Sequence, residues 1–290
     1  MINKVVVFGE MLWDCLPQGA VPGGAPMNVA LHLHQLGLES KLISAVGKDA
    51  DGEKLLDFLN SFQFQTDLIQ QIEEYETSKV LVDDSDLENI KYDIVSPVAW
   101  DFIKWNKNMD KVVAESDAFV FGTLGVRNPE SLTTLLKLLH HETLRFFDAN
   151  LRSPYYDFEI IETLLGFADV LKINEDELVI FADFFNVKPS IKAVCQHLDQ
   201  HFPMDLICVT KGSAGALIYK KGEIIEHAGY QVKVADSIGA GDAFLSGFIK
   251  GYLEHKTLAE TLDFACKLGA FVASKKGGTP NYSISDLDVM

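Results

Sequence analysis

A chain of 290 residues, 48% apolar and 23% charged, has the size and composition of a soluble globular protein able to bury a full core. Its 42 acidic against 25 basic side chains, a net charge of −17, exclude nucleic acid and anionic membrane surfaces as expected partners, since both demand a basic face. A polyanion such as a nucleotide would have to be met by positive potential built locally.

Taken in chain order, Lys4–Phe8 is a short apolar run closed by Gly9 and predicts a buried first strand. Residues 28–36 predict a helix with Val29, Leu33 and Leu36 on one face and Gly37 as its stop. A strand follows at 40–46 and a helix at 51–62. Residues 77–82 and 90–95 are rich in β-branched side chains and predict a hairpin whose tip, 83–89, is acidic. With residues 12–21 beside it, this hairpin reads as a small β lid, built from segments at about 12–22 and 75–100. Strands at 118–121 and 144–147 enclose a helix at 129–141. Further strands are expected at 170–173, Leu206–Thr210 and 215–220, and a long helix at 257–274. Strands alternating with helices imply an α/β fold with a mostly parallel sheet covered on both faces. No repeat or linker interrupts the chain, so 1–290 reads as a single domain carrying the lid.

No apolar run reaches the ~18 residues of a membrane helix, and the apolar start is too short for a signal peptide. Cys15, Cys195, Cys208 and Cys266 are scattered without a C-x-x-C pair. A cytoplasmic protein with reduced, mostly buried thiols is the expectation.

The chemistry concentrates in Asp236-Ser237-Ile238-Gly239-Ala240-Gly241-Asp242-Ala243-Phe244, which runs into a helix at 245–252. Gly239 and Gly241 let backbone N–H groups approach a ligand, and a helix starting there adds its positive end. Asp242 would repel an anion bound at that spot. Its presence makes sense if it removes a proton from a hydroxyl that attacks a phosphate. The segment therefore predicts phosphoryl transfer to an alcohol. In Pro22-Gly23-Gly24-Ala25-Pro26-Met27-Asn28, the glycines again allow close approach. Asn28 offers a donor and an acceptor, suited to a polyol or to capping a helix. The chain has no G-x-x-x-x-G-K-[ST] loop and no G-x-G-x-x-G after its first strand, which argues against P-loop and nicotinamide enzymes. His197 and His201 are spaced for zinc on one helix face, but no further ligand pattern supports it, and a solvated face is the alternative.

Residues 236–244 resemble the C-terminal signature of the ribokinase-like (PfkB) carbohydrate kinases, Asp-Thr-x-Gly-Ala-Gly-Asp, with Ser237 in place of Thr. Residues 22–30 resemble the N-terminal signature. The run at 9–14 (Gly-Glu-Met-Leu-Trp-Asp) and the run at 148–152 (Asp-Ala-Asn-Leu-Arg, where Pro is common at Ala149) are most similar to bacterial fructokinases. The resemblance implies a three-layer α-β-α fold and an ATP-dependent, Mg2+-dependent sugar kinase, with fructose the first candidate. It leaves room for K+.

Residue by residue, the resemblance implies that Asp14, Gly23, Gly24 and Asn28 bind sugar, with Arg152 near phosphate or substrate. Asp242 would be the base, and Gly239, Ala240 and Gly241 the anion-binding turn. Asn174 and Glu177 correspond to the family's N-x-x-E motif, with Glu177 organising Mg2+ through water; an acidic first helical turn is the alternative reading. Thr210, Lys211, Gly212 and Cys266 would line the nucleotide. Asp236, Ile238 and the backbone of Val272, Lys275 and Gly277 would hold a monovalent cation. Relatives can form homodimers through their lids, although the arm between Asp14 and Gly23 is short here. A kinase for another sugar or sugar acid (ribose, 2-keto-3-deoxygluconate) or a non-catalytic sugar-binding protein are the rival readings.

Overall fold

Val5 and Val7 of the first strand, β1 (Lys4–Phe8), enter one hydrophobic core, and Val6 and Phe8 enter another. A strand buried on both faces requires a layer on each side. The computed structural model, which describes residues 2–16, 19–83 and 91–287, supplies both. After β1 come β2 (Leu12–Leu16), β3 (Gly19–Gly23), α1 (Ala25–Gln35), β4 (Glu39–Gly47), α2 (Ala50–Ser61), β5 (Ile69–Ile72), β6 (Lys79–Asp83) and β7 (Lys91–Ile94). The chain continues through α3 (Lys107–Ala114), β8 (Ala118–Gly122), α4 (Pro129–Leu138), β9 (Leu144–Asp148), α5 (Phe158–Leu165), β10 (Val170–Asn174), α6 (Glu175–Phe184) and α7 (Ile191–His201). It ends with β11 (Leu206–Thr210), β12 (Ala216–Lys220), β13 (Glu223–His227), α8 (Ala240–Leu253) and α9 (Leu258–Ala273), before a last short turn of helix.

Among the described residues the main sheet has nine strands in the order β13-β12-β11-β10-β9-β8-β1-β4-β5. All neighbours are parallel except at β11–β12 and β12–β13. Leu31, Leu55, Leu245 and Leu268, from α1, α2, α8 and α9, fill one core. Met109, Leu135, Ile161, Phe181 and Val194, from α3 to α7, fill the other. From β1 the chain steps outward to β4 and β5, then returns to β8 on the other side. That reversal opens a crevice at the carboxyl ends of the strands, where ligands bind in open α/β sheets.

The remaining strands form a separate four-stranded sheet, β3-β2-β6-β7. Residues 12–21, expected as one piece, fold as two antiparallel strands, with Leu12 opposite Gly23 and Leu16 opposite Gly19. β2 then runs parallel to β6. The strand expected from residue 77 starts at Lys79 because Thr77 is held elsewhere. Its N–H and hydroxyl donate to Asp49 at 2.8 and 2.7 Å. Residues 84–90, most of the expected acidic tip, lie outside the described residues. At the other end of β7, Arg127 makes a fork of 2.8 and 2.9 Å bonds to Asp101. It also donates to the carbonyls of Val95 (2.7 Å) and Ile94 (3.4 Å). Its guanidinium stacks 4.1 Å from the Trp100 ring centroid.

Other differences are local. The helix expected at 28–36 starts three residues earlier, at Ala25, with Gly24 (φ 108°) as its cap and Pro26 in its first turn. Asn28 is therefore one turn inside α1 rather than its cap. The helix expected at 129–141 stops at Leu138.

Candidate functional site

The glycine turn at 239–241 sits at the mouth of the crevice. Gly239 has φ 73°, the left-handed region, and caps α8. A Cβ there would overlap the backbone of Gly278, so the turn is seated directly on the chain's C-terminal segment. Asp242, in the first turn of α8, is half-buried and accepts a 2.8 Å hydrogen bond from Asn28 Nδ2. Burial raises its pKa from 3.8 to about 6, against the pull of the Asn28 amide and of Lys172. Among the described residues Asn28 Oδ1 is buried without a partner.

Beneath the turn lies a side chain that the sequence reading missed. Lys172, near the end of β10, is 6% exposed and donates to Asp148 Oδ1 at 2.8 Å. Its Nζ stands 3.6 Å from the point a Cβ of Gly241 would occupy. Burial disfavours the ammonium, but Asp148, Glu177 and Asp242 together hold it above the usual lysine range. Glu10 is also buried, which raises its pKa to about 7, and the charges of Asp242 and Asp148 add to that rise. The visible signal for both was a charge within or next to an otherwise apolar strand run.

Around this centre the expected sugar ligands converge. A Cβ on Gly23 would run into the Asp14 carboxylate, so this glycine lets β3 lie flat against it. Burial raises the Asp14 pKa and the Arg152 charge opposes the rise. Arg152 is exposed and its charge also reaches Glu10 and Asp242, so it faces the same space. Glu177 has both oxygens engaged: Oε2 accepts from Asn174 N and Oε1 from Leu151 N, each at 2.8 Å. Asn174 Oδ1 accepts from Glu177 N in return, a capping box at the start of α6. Glu177 thus ties the loop after β9 to the helix after β10.

On the far side of the turn is a cleft of ≈ 770 Å³, whose lining brings together Asn174, Thr210, Lys211, Gly212 and Cys266 with Ala240 and Gly241. Tyr230, Gln231 and Val232, not singled out from the sequence, form another wall. Burial pushes the Cys266 thiol up to about 12, so it is a neutral wall group. Asp236 accepts from Ile238 N (3.0 Å) and Gly277 N (3.2 Å), which brings those three residues together. The Val272 side chain lies in the core and its carbonyl accepts from Lys275 N, while the Lys275 ammonium sits over Phe271. Away from the crevice, His201 Nδ1 donates to the carbonyl of His197. Among the described residues no group of three or more metal-ligating side chains gathers there or elsewhere.

The pfkB family carbohydrate kinase model matches residues 5–284. The chain belongs to the pfkB family of carbohydrate kinases. A fructokinase from Klebsiella pneumoniae is 29% identical over 300 residues, covering 96% of this chain and 95% of that one. The structure of an uncharacterized sugar kinase from Pyrococcus horikoshii in complex with ATP is 28% identical, with a TM-score of 0.79 over 95% of each chain. A fructokinase double mutant from Vibrio cholerae, bound to fructose, ADP and potassium ion, superposes with a TM-score of 0.85. At 24% identity, with 99% of this chain and 98% of that one covered, it shares the fold. The three-layer, ribokinase-like architecture expected of this carbohydrate kinase is the one found. Among the described residues no helix is long and apolar enough to cross a membrane.

Proposed function

We propose that this carbohydrate kinase transfers the γ-phosphoryl group of ATP to the primary hydroxyl of fructose, forming fructose 6-phosphate and ADP. The observation that carries the proposal is the half-buried Asp242, held by Asn28 at 2.8 Å in the first turn of α8, beside the ≈ 770 Å³ cleft that reaches Ala240 and Gly241. Asp242 takes the hydroxyl proton as the oxygen forms its bond to phosphorus and the bond to the ADP oxygen breaks. The N–H groups from Gly239 to Asp242, with Lys172 below them, receive the charge on the transferred group. Asp14, Gly23, Gly24 and Asn28 orient the sugar, and Arg152 faces the phosphoryl acceptor. Asn174, Thr210, Lys211, Gly212 and Cys266 hold the nucleotide. The fructokinase relatives favour fructose over other sugars as the first candidate.

The residues present suit Mg2+. Among the described residues Asp148 Oδ2 is buried without a partner, and each Glu177 oxygen accepts one N–H bond, a hard-oxygen set fit for a hydrated ion. Glu177 and Asp148 would hold it through water; when bound, Mg2+ offsets the charge of the ATP phosphates. The knot of Asp236, Ile238 and Gly277 would be where K+ enters, if the kinase uses one. The β3-β2-β6-β7 sheet would act as a lid that excludes water, and a homodimer of this kinase would pair through it, where Leu81 is exposed. We assign the reaction to the cytoplasm, in keeping with four free cysteines.

The test is ADP release with Mg·ATP across fructose, ribose, 2-keto-3-deoxygluconate, glucose, mannose and adenosine. Turnover on fructose alone supports the proposal. Turnover on a different sugar overturns the substrate, and silence with retained ATP binding overturns the activity.

A further inference from the structure

One buried histidine has no part in the chemistry above. His32 lies on α1 one helical turn beyond Asn28, on the same face, and is fully buried. Its Nε2 is 2.9 Å from the carbonyl oxygen of Gly278, and its Nδ1 is 3.0 Å from the hydroxyl of Tyr282. A carbonyl can only accept, so Nε2 carries the proton and Nδ1 accepts from the tyrosine. Burial keeps the ring neutral by lowering its pKa to about 4. Three residues further along α1, Gln35 donates to the Pro280 carbonyl (3.3 Å) and accepts from Tyr282 N (3.1 Å). The segment from 278 to 282 is thus bolted to the helix that carries Asn28.

That segment is the seat of the anion-binding turn, because Gly239 rests on the backbone of Gly278 with no room for a Cβ between them. The position of the N–H groups at 239–242 therefore depends on where Gly278 is held. Asn28 fixes the Asp242 side chain from the same helix. One helix face thus sets both the base and the turn.

We propose that His32 is a positioning residue for phosphoryl transfer: with Tyr282 it clamps Gly278 behind Gly239 and so fixes the turn that receives the transferred group. The inference rests on the proposed function, in which that turn binds the phosphoryl group in the transition state. A displaced anion hole weakens binding of the transition state more than binding of the ground state. A misplacement of about 1 Å costs on the order of 10²-fold.

The test compares His32→Gln, His32→Leu and Tyr282→Phe with the unmodified chain. The readouts are kcat, both KM values, and the affinities for Mg·ADP and for Mg·ADP with aluminium fluoride, a mimic of the phosphoryl group in flight. Gln can still donate to the Gly278 carbonyl, so it should keep kcat within about 5-fold. Leu cannot, and should lower kcat by roughly 30- to 100-fold with sugar and ATP KM moving less than about 3-fold. Aluminium fluoride affinity should fall in parallel, while Mg·ADP affinity stays within about 2-fold. Tyr282→Phe removes a single hydroxyl and should fold even if Leu does not; roughly a 5- to 10-fold loss of kcat with the same pattern is expected. Folded variants that lose thermal stability but keep kcat and aluminium fluoride affinity would show that the clamp is only structural and overturn the inference. Equal loss from Gln and Leu would overturn it as well. An unmodified chain that transfers no phosphoryl group would instead overturn the proposed function, and this inference with it.

Discussion

Replacing Asp242 by Asn removes the proposed base while nearly preserving its shape, since the amide oxygen can still accept from Asn28. Two consequences can be worked from one number. The carboxyl titrates at about 6 rather than 3.8 because the fold strips its water. As a base it should contribute roughly 10²–10⁴ to kcat, or about 3–5 kcal/mol of barrier. As a buried acid with a raised pKa, it makes its ionised form a liability to the native state. That cost is full above pH 6, fades as the folded carboxyl takes up its proton, and is gone near pH 4. Two units at about 1.4 kcal/mol each set an upper limit of about 3 kcal/mol. Asp242→Asn should therefore lose at least about 100-fold in kcat and gain roughly 2–6 °C in Tm at pH 8, with the gain shrinking as pH falls toward 4. Steady-state kinetics and thermal scans across pH check both. In the unmodified kinase kcat/KM should fall on the acid side with an apparent pKa near 6. A variant that keeps kcat within about 10-fold, or that gains no stability at pH 8, would refute the reasoning.

Asn28→Ala should raise sugar KM by about 10-fold or more while ATP KM moves less than about 3-fold, because the proposed function gives Asn28 to the sugar; equal effects on both would remove it from the sugar pocket. Lys172→Met deletes the ammonium that helps keep Asp242 ionised, so the acid limb of kcat/KM should move above pH 6 and kcat should drop by roughly 10². The same change leaves Asp148 buried without its partner, and chemical denaturation should report a loss of about 3–5 kcal/mol at neutral pH.

The features that were legible in the chain are those with strong local signals. β1 and β11 appear where their apolar runs lie, and the turn at 239–242 is announced by Gly239 and Gly241 before an apolar, buried helix. The strands β5 and β13 escaped because an edge strand buries little. Gln70 and Gln71 in one, and Glu223 and Glu226 in the other, look like loop. The short, polar α3 and the eight-residue α5 offered too little pattern to stand alone. In the site, motif residues such as Asp14, Asn28 and Asp242 could be named because their spacing is local. Lys172 and His32 could not, because each earns its position only once the fold brings Asp148 or Gly278 next to it. A lysine inside a buried strand and a histidine on an apolar helix face were the available hints.

The Arg127 fork has a mechanical consequence. With its donors committed to Asp101 and to the carbonyls of Ile94 and Val95, and its plane held against Trp100, it welds one corner of the smaller sheet to the larger body. Trp13 and Lys79, on β2 and β6, are tied to Asp51 of α2 at 3.0 and 2.7 Å, so the sheet is fastened along the edge that runs from them to Ile94 and can swing only about that edge. Its travel should thus be greatest at the strand ends farthest from that edge and close to nothing at Val95. On the proposed function, the angle of that swing would set how large an acceptor molecule the crevice can close over.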